Sequence, residues 1–159
     1  AHADPASDIP TVLLALDATL VVKGPGGERT VPASEFWKGI FESALGSQDL
    51  LTEIRVPKLA GAGWNYQKFH PRAQDWAIVG VAAVASNGGV KLALTNMGDK
   101  PLRAGAVEQA LASGSDPAAA AEQVLEGTNP PNDALASSEY RSHLAKVLTR
   151  RAIEGARSS

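Results

Sequence analysis

Apolar and polar positions change rhythm several times along this chain, and each change marks an element. Ile9 to Leu16 is almost continuously apolar and predicts a short helix ending near Asp17, with Ser7 or Asp8 able to cap it. Pro10 is tolerated in its first turn, where the missing N–H would be unpaired in any case. Thr19 to Lys23 is rich in β-branched residues and predicts a strand. Gly24-Pro25-Gly26-Gly27 turns the chain, and Glu28 to Val31 returns as the hairpin partner. Pro32-Ala33-Ser34 introduces a helical turn carrying Phe36 and Trp37, which with Phe41 are expected in the core. Leu50 to Val56 alternates as a strand and stops at Pro57.

Residues 58–63, Lys-Leu-Ala-Gly-Ala-Gly, form an internal boundary. Beyond it, strands are predicted at Trp64–Arg72, Trp76–Ser86 and Val90–Asn96. The second is apolar enough to be central, and Asn87-Gly88-Gly89 is a hairpin signal between the last two. The final third is helical, over Arg103–Ala112, Pro117–Glu126 and from Ser137 or Ser138 to about Arg157. Asp116 is the expected N-cap of the middle helix, with Pro117 at its first position. Tyr140, Leu144, Val147, Leu148 and Ala152 recur at helical spacing on the last one. The expected fold class is α+β: an α+β segment over 1–57, then a domain over 64–157 with three antiparallel strands packed by three helices.

Composition narrows the function classes. The 159 residues are 44% hydrophobic and carry a formal net charge of −2, so nothing points to a nucleic-acid binder. Without cysteine there is no disulfide, thiolate metal site or cysteine-ligated cluster, and the cytoplasm is favoured. The Ala-, Gly- and Arg-rich composition suggests a bacterial source. His2, His70 and His143 lack metal-ligand spacing. No Gly-x-Ser-x-Gly, Walker or dinucleotide Gly-x-Gly-x-x-G pattern occurs, and Gly24 to Gly27 reads as a hairpin turn, not a phosphate cradle. Arg141, Arg150, Arg151 and Arg157 read as a solvated cationic face of the last helix.

Four stretches together are more specific than any one alone: Ala3-Asp4-Pro5-Ala6-Ser7-Asp8-Ile9-Pro10; Asp49-Leu50-Leu51-Thr52-Glu53-Ile54-Arg55-Val56-Pro57; Tyr66-Gln67-Lys68-Phe69 with Asp75-Trp76-Ala77; and Glu139-Tyr140-Arg141 with Leu148-Thr149-Arg150-Arg151-Ala152. In order and spacing they resemble the medium, FAD-binding subunit of carbon monoxide dehydrogenase-type molybdenum hydroxylases over nearly the whole chain. The first eight residues resemble the segment after that family's second flavin-binding Gly-Gly turn, so the chain reads as a C-terminal fragment of such a subunit. The resemblance implies that 1–57 ends an FAD-binding domain and that 64–157 folds over the flavin. It implies an oxidoreductase subunit that receives electrons from a small iron–sulfur subunit, beside a large molybdenum-cofactor subunit, and passes them through FAD to an external acceptor.

The same resemblance implies the site residues. Asp8 would contact the ribityl or pyrophosphate portion of FAD, a fit for an acceptor-only carboxylate, although it could equally be a plain helix cap. Leu50 and Leu51 would form the apolar edge beside the isoalloxazine, with alternation turning one inward and one outward. Lys68 would lie near the ring, where an ammonium stabilises charge on the reduced N1/O2 edge. Trp76 stands where the family carries a tyrosine over the ring; an indole stacks as well, but no phenol hydroxyl is available. Without the Gly-rich turns, weak FAD binding and an exposed apolar surface prone to self-association are expected. An alternative remains open: a docking domain for the other subunits that binds no cofactor by itself.

Overall fold

The computed structural model describes residues 2–86 and 89–159. Helix α1 (Asp8–Ala15) leads into strands β1 (Thr19–Gly24) and β2 (Gly27–Pro32). One turn of helix α2 (Ala33–Phe36) precedes the small hairpin β3 (Trp37–Gly39) and β4 (Glu42–Ser43), and β5 (Leu50–Arg55) follows. The second half begins with β6 (Gly63–Phe69), β7 (Val79–Ser86), β8 (Gly89–Thr95) and the short β9 (Leu102–Arg103). It closes with α3 (Gly105–Ala112), α4 (Pro117–Ala121), a 3₁₀ turn (Glu122–Leu125) and α5 (Ser138–Ser158). The result is an α+β fold of antiparallel sheets and helices.

The first sheet has the order β2-β1-β5, all antiparallel. The Gly24–Gly27 turn joins its first two strands, as the turn chemistry requires. Leu20, Val22, Val31, Phe36 and Trp37 pack a small core on it, with Phe36 and Trp37 edge-on at 5.3 Å between ring centroids. Phe41 is a correction: at the tip of the β3–β4 hairpin it is 69% exposed.

The second sheet, β6-β7-β8-β9, has four strands where three were expected, because Leu102–Arg103 pairs with Ala93–Leu94. Those two residues are claimed by the sheet edge, so α3 begins only at Gly105. Alternation assigns the two faces of the sheet. Val79, Val81, Leu92 and Leu94 face α3, α4 and α5 in the main core, while Ala82, Val84 and Ala93 receive Leu14 and Ala15 of α1. The small alanines are what let α1 lie close on this face. Asp116 caps α4 by accepting from the backbone N–H of Ala118 and Ala119, and Ser137 caps α5 through the N–H of Tyr140.

Other differences are local. β6 ends at Phe69 instead of Arg72, and β7 begins at Val79 instead of Trp76, leaving 70–78 as a loop. Pro71 cannot donate to a ladder, which is consistent with the early stop. The predicted middle helix tightens to a 3₁₀ turn after Ala121. Asn87-Gly88 lies outside the described residues, although the flanking strands pair as far as Ser86 and Gly89. Among the described residues no helix is long and apolar enough to cross a membrane, and no group of acidic, His or Cys side chains is placed to hold a metal.

Of the four arginines expected on a solvated cationic face, Arg150, Arg151 and Arg157 are exposed, but Arg141 is fully buried. Its guanidinium donates to the carbonyl of Ile78 and, at 2.7 Å, to Asp133. The helical period alone places it beside Leu144, Ala145 and Leu148 on the inward side of α5.

A surface network joins the two halves. Asp17, in the left-handed conformation at φ 51°, accepts from Lys91 and, at 2.6 Å, from Arg103. Partial burial pushes its carboxyl up, but the bonds from Lys91 and Arg103 outweigh this and hold it below its ordinary value. The Asp17→Asn variant keeps the left-handed backbone and removes the charge. It is expected to cost only about 0.5–1 kcal/mol, because the carboxylate is half exposed and screened. A depressed pKa contributes stability above the unfolded value near 4 that is lost as pH falls through the folded one. The variant's stability should therefore fall less than the parent's as pH is lowered below about 5.

Candidate functional site

The start of α1 and Trp76 of the loop 70–78 both line a cavity of about 240 Å³. Ser7, Ile9 and Pro10 contribute from the start of α1; His2, Asp4, Trp37, Leu51 and Ile54 are also part of the lining. Trp76 is 60% exposed although it is the largest apolar side chain of its loop. An indole left in this state at the mouth of an apolar cavity offers a flat stacking surface. Trp37 is buried, and among the described residues its indole N–H has no hydrogen-bond partner.

Beside this cavity a polar cluster centres on Asp8. Lys68 donates to its Oδ2 and Tyr66 to its Oδ1, both at 2.8 Å. Ser7 stands at the N-cap position but makes no side-chain cap, and Asp8 likewise gives its carboxylate to strand β6. The pairing follows from period two: Tyr66 and Lys68 emerge on the face of the sheet against which α1 packs. Tyr66 is also 3.2 Å from the Thr95 hydroxyl, which in turn donates to Thr11 at 2.8 Å. Burial pushes the Tyr66 phenol well above its ordinary value; the Thr95 contact opposes this and Asp8 adds to it. The phenol therefore remains a donor throughout the neutral range.

The five residues expected at the site fall into three groups. Asp8 and Lys68 form one ion pair, side by side at the N-terminus of α1. Leu51 and Trp76 share the cavity. Leu50 is 68% exposed and does not line it. Tyr66 and Thr95 complete the polar cluster but were not singled out from the sequence as site residues. Strand alternation would have found Tyr66, two residues before Lys68; nothing local pointed to Thr95.

The C-terminal stretch, residues 64–156, matches the family described as CO dehydrogenase flavoprotein C-terminal domain. The chain belongs to this family. Residues 1–59 match the FAD binding domain in molybdopterin dehydrogenase. Among curated proteins, the chain is 40% identical over 162 residues to the glyceraldehyde dehydrogenase medium chain of Sulfolobus acidocaldarius, covering 96% of this chain and 58% of that one. It is 33% identical to the carbon monoxide dehydrogenase medium chain of Hydrogenophaga pseudoflava, covering 98% of this chain and 58% of the relative. Its fold superposes on a solved structure of carbon monoxide dehydrogenase from Hydrogenophaga pseudoflava lacking the Mo-pyranopterin moiety, with a TM-score of 0.93 and 35% identity, covering 99% of this chain and 58% of that one. The chain thus spans a little over half the length of these relatives. Family membership makes FAD the cofactor against which the cavity is to be judged.

Proposed function

We propose that this chain contributes one side of the isoalloxazine pocket in the FAD-binding subunit of a molybdenum hydroxylase. The observation that carries this reading is the exposed Trp76 indole, which lines one cavity together with Leu51 and the start of α1. The residues present fit a flavin. The cavity is lined mostly by apolar and aromatic groups, with His2, Asp4 and Ser7 among them, a mixture suited to a flat heteroaromatic ring. Asp8 accepts one hydrogen bond on each oxygen and keeps free lone pairs for ribityl hydroxyls. Lys68 uses one donor on Asp8 and retains others for an electron-rich ring edge. The flavin, when bound, supplies electron transfer; this chain's residues stack on it, orient it and limit water at its face. On this reading the ring contact falls to Leu51, which lines the cavity, and not to Leu50.

On this proposal residues 1–57 belong to the FAD-binding domain and 64–157 form the domain that folds over the ring. The electrons come from an iron–sulfur small subunit, itself supplied by a molybdenum-cofactor large subunit. Self-association through exposed apolar surface around the cavity, including Ile9 and Ile54, belongs to the same proposal.

The Gly24–Gly27 segment closes a β-hairpin instead of opening a helix, so it offers no pyrophosphate site. FAD is therefore expected to bind this chain weakly, mainly through its ring. Titrating FAD and riboflavin while following flavin and tryptophan fluorescence should show similar, saturable quenching by both. Trp76→Ala should weaken it by about ten-fold or more, the scale of one lost stacking contact. Quenching unchanged by Trp76→Ala would remove the ring contact from the proposal. Stoichiometric flavin retained through purification would refute weak binding.

A further inference from the structure

We infer that Asn96 is a positioning residue that sets the distance between two parts of the cavity lining, the start of α1 and Trp76; the inference rests on the flavin reading for its functional meaning. Asn96 follows β8 in the left-handed conformation, φ 60°, which asparagine tolerates better than most residues. This bend sends its two donors to different segments. The backbone N–H donates to the carbonyl of Pro5 at 2.9 Å, just ahead of α1. The side-chain Nδ2 donates to the carbonyl of Ala77 at 2.8 Å, next to Trp76. Because the partner is a carbonyl, only the NH₂ end of the amide satisfies the contact. One residue thus ties the Ser7–Ile9 part of the lining and the Trp76 part to the end of the same strand.

Trp76 needs such an anchor. Among the described residues its indole makes no hydrogen bond and no aromatic pair, and it sits in a loop outside the sheet. Its orientation is inherited from the backbone at Ala77 and Ile78. Ile78 is held on both sides, its N–H by Phe69 and its carbonyl by Arg141. Asn96 supplies a hold on Ala77, and it also reaches Pro5.

Trp76 itself reports on the test. Trp37 is 4% exposed and hidden from aqueous quenchers, so in a Trp64→Phe background iodide reads Trp76. Asn96→Gly keeps the left-handed backbone and the Pro5 contact but deletes the amide. Asn96→Asp keeps a side chain tolerant of that conformation but cannot donate to Ala77, and it carries the test if the glycine variant does not fold. In both, with unchanged far-ultraviolet circular dichroism, the anisotropy of the iodide-quenchable emission, which is that of Trp76, should decay faster. Riboflavin affinity should fall about two- to ten-fold, the scale of one hydrogen bond. Folded variants with unaltered Trp76 anisotropy would overturn the inference. The anisotropy readout needs no flavin. If Trp76 loosens but riboflavin never meets it in the parent, the flavin reading fails and the positioning role stands.

Discussion

Replacing Arg141 by methionine is expected to lower the unfolding free energy by about 2–4 kcal/mol, a midpoint drop of roughly 5–15 °C for a domain of this size. Methionine fills much of the space occupied by the arginine stem, so the cost is mainly polar. The carbonyl of Ile78 loses a donor in a site closed to water, a penalty of about 1–3 kcal/mol. Asp133 is less affected: it is partly exposed, rehydrates, and still accepts from the N–H groups of Leu135 and Ala136. For this reason the loss stays below that of stranding a fully buried charge. Arg141→Lys should recover part of it, since an ammonium can reach one of the two partners but cannot span both. Urea unfolding followed by circular dichroism gives the comparison. A methionine variant as stable as the parent would mean that the Ile78 carbonyl finds another donor.

The second large effect is expected from Gly80→Ala. Gly80 sits on β7 under the Tyr66–Thr95 contact, and an added Cβ would lie 2.7 Å from the Tyr66 hydroxyl and 2.8 Å from that of Thr95. Both hydroxyls are fixed by further hydrogen bonds, so neither moves freely. Overpacking of this kind costs about 1–3 kcal/mol. It should also push Tyr66 off Asp8, loosening the Asp8–Lys68 pair at the cavity edge. Tyr66→Phe removes the nearer clash, so the double variant should be more stable than the sum of the single changes allows. Additive behaviour in that cycle would show that Thr95 or the strand backbone absorbs the alanine instead.

Tyr66 also predicts an alkaline signature. Its phenol is raised in the folded state, chiefly by burial, so its contribution to stability is complete below the unfolded value near 10. Above that pH the unfolded chain gains by ionising and stability falls, until the folded phenol also titrates. Tyr66→Phe should flatten the stability profile above about pH 10.

Strand and helix identities were legible wherever one local rule applied. Alternation and the Gly-Pro-Gly-Gly turn determined the β1–β2 hairpin, and the Asp116-Pro117 and Ser137 signals determined two helix starts. Family membership was legible too, because it resides in four short motifs whose order survives in the sequence. Local patterning misjudged residues whose fate depends on distant partners. Leu102–Arg103 has helical neighbours but completes a sheet with Ala93–Leu94. Phe41 is apolar yet exposed, because a left-handed backbone and the Ala3 carbonyl fix it at a hairpin tip. Arg141 is charged yet buried, because Ile78 and Asp133, far from it in the chain or across a loop, accept from its two terminal nitrogens.

The candidate site divides in the same way. Residue types suited to a flavin, a carboxylate, an ammonium, a leucine and an indole, were set by the sequence and its family motifs. Which of them meet was decided by tertiary structure alone. Asp8 and Lys68 are 60 positions apart and touch only because α1 packs on the sheet, against β7 and β8, with its first residue in reach of β6. Leu51 reaches the cavity while Leu50 faces solvent, because β5 pairs with β1 in one register. Trp76 lines the same cavity as the start of α1 where the left-handed bend at Asn96 holds Pro5 and Ala77 together. The physical reason is range: propensity and periodicity act over a few residues, whereas hydrogen bonds and packing between remote segments exist only once the chain has folded.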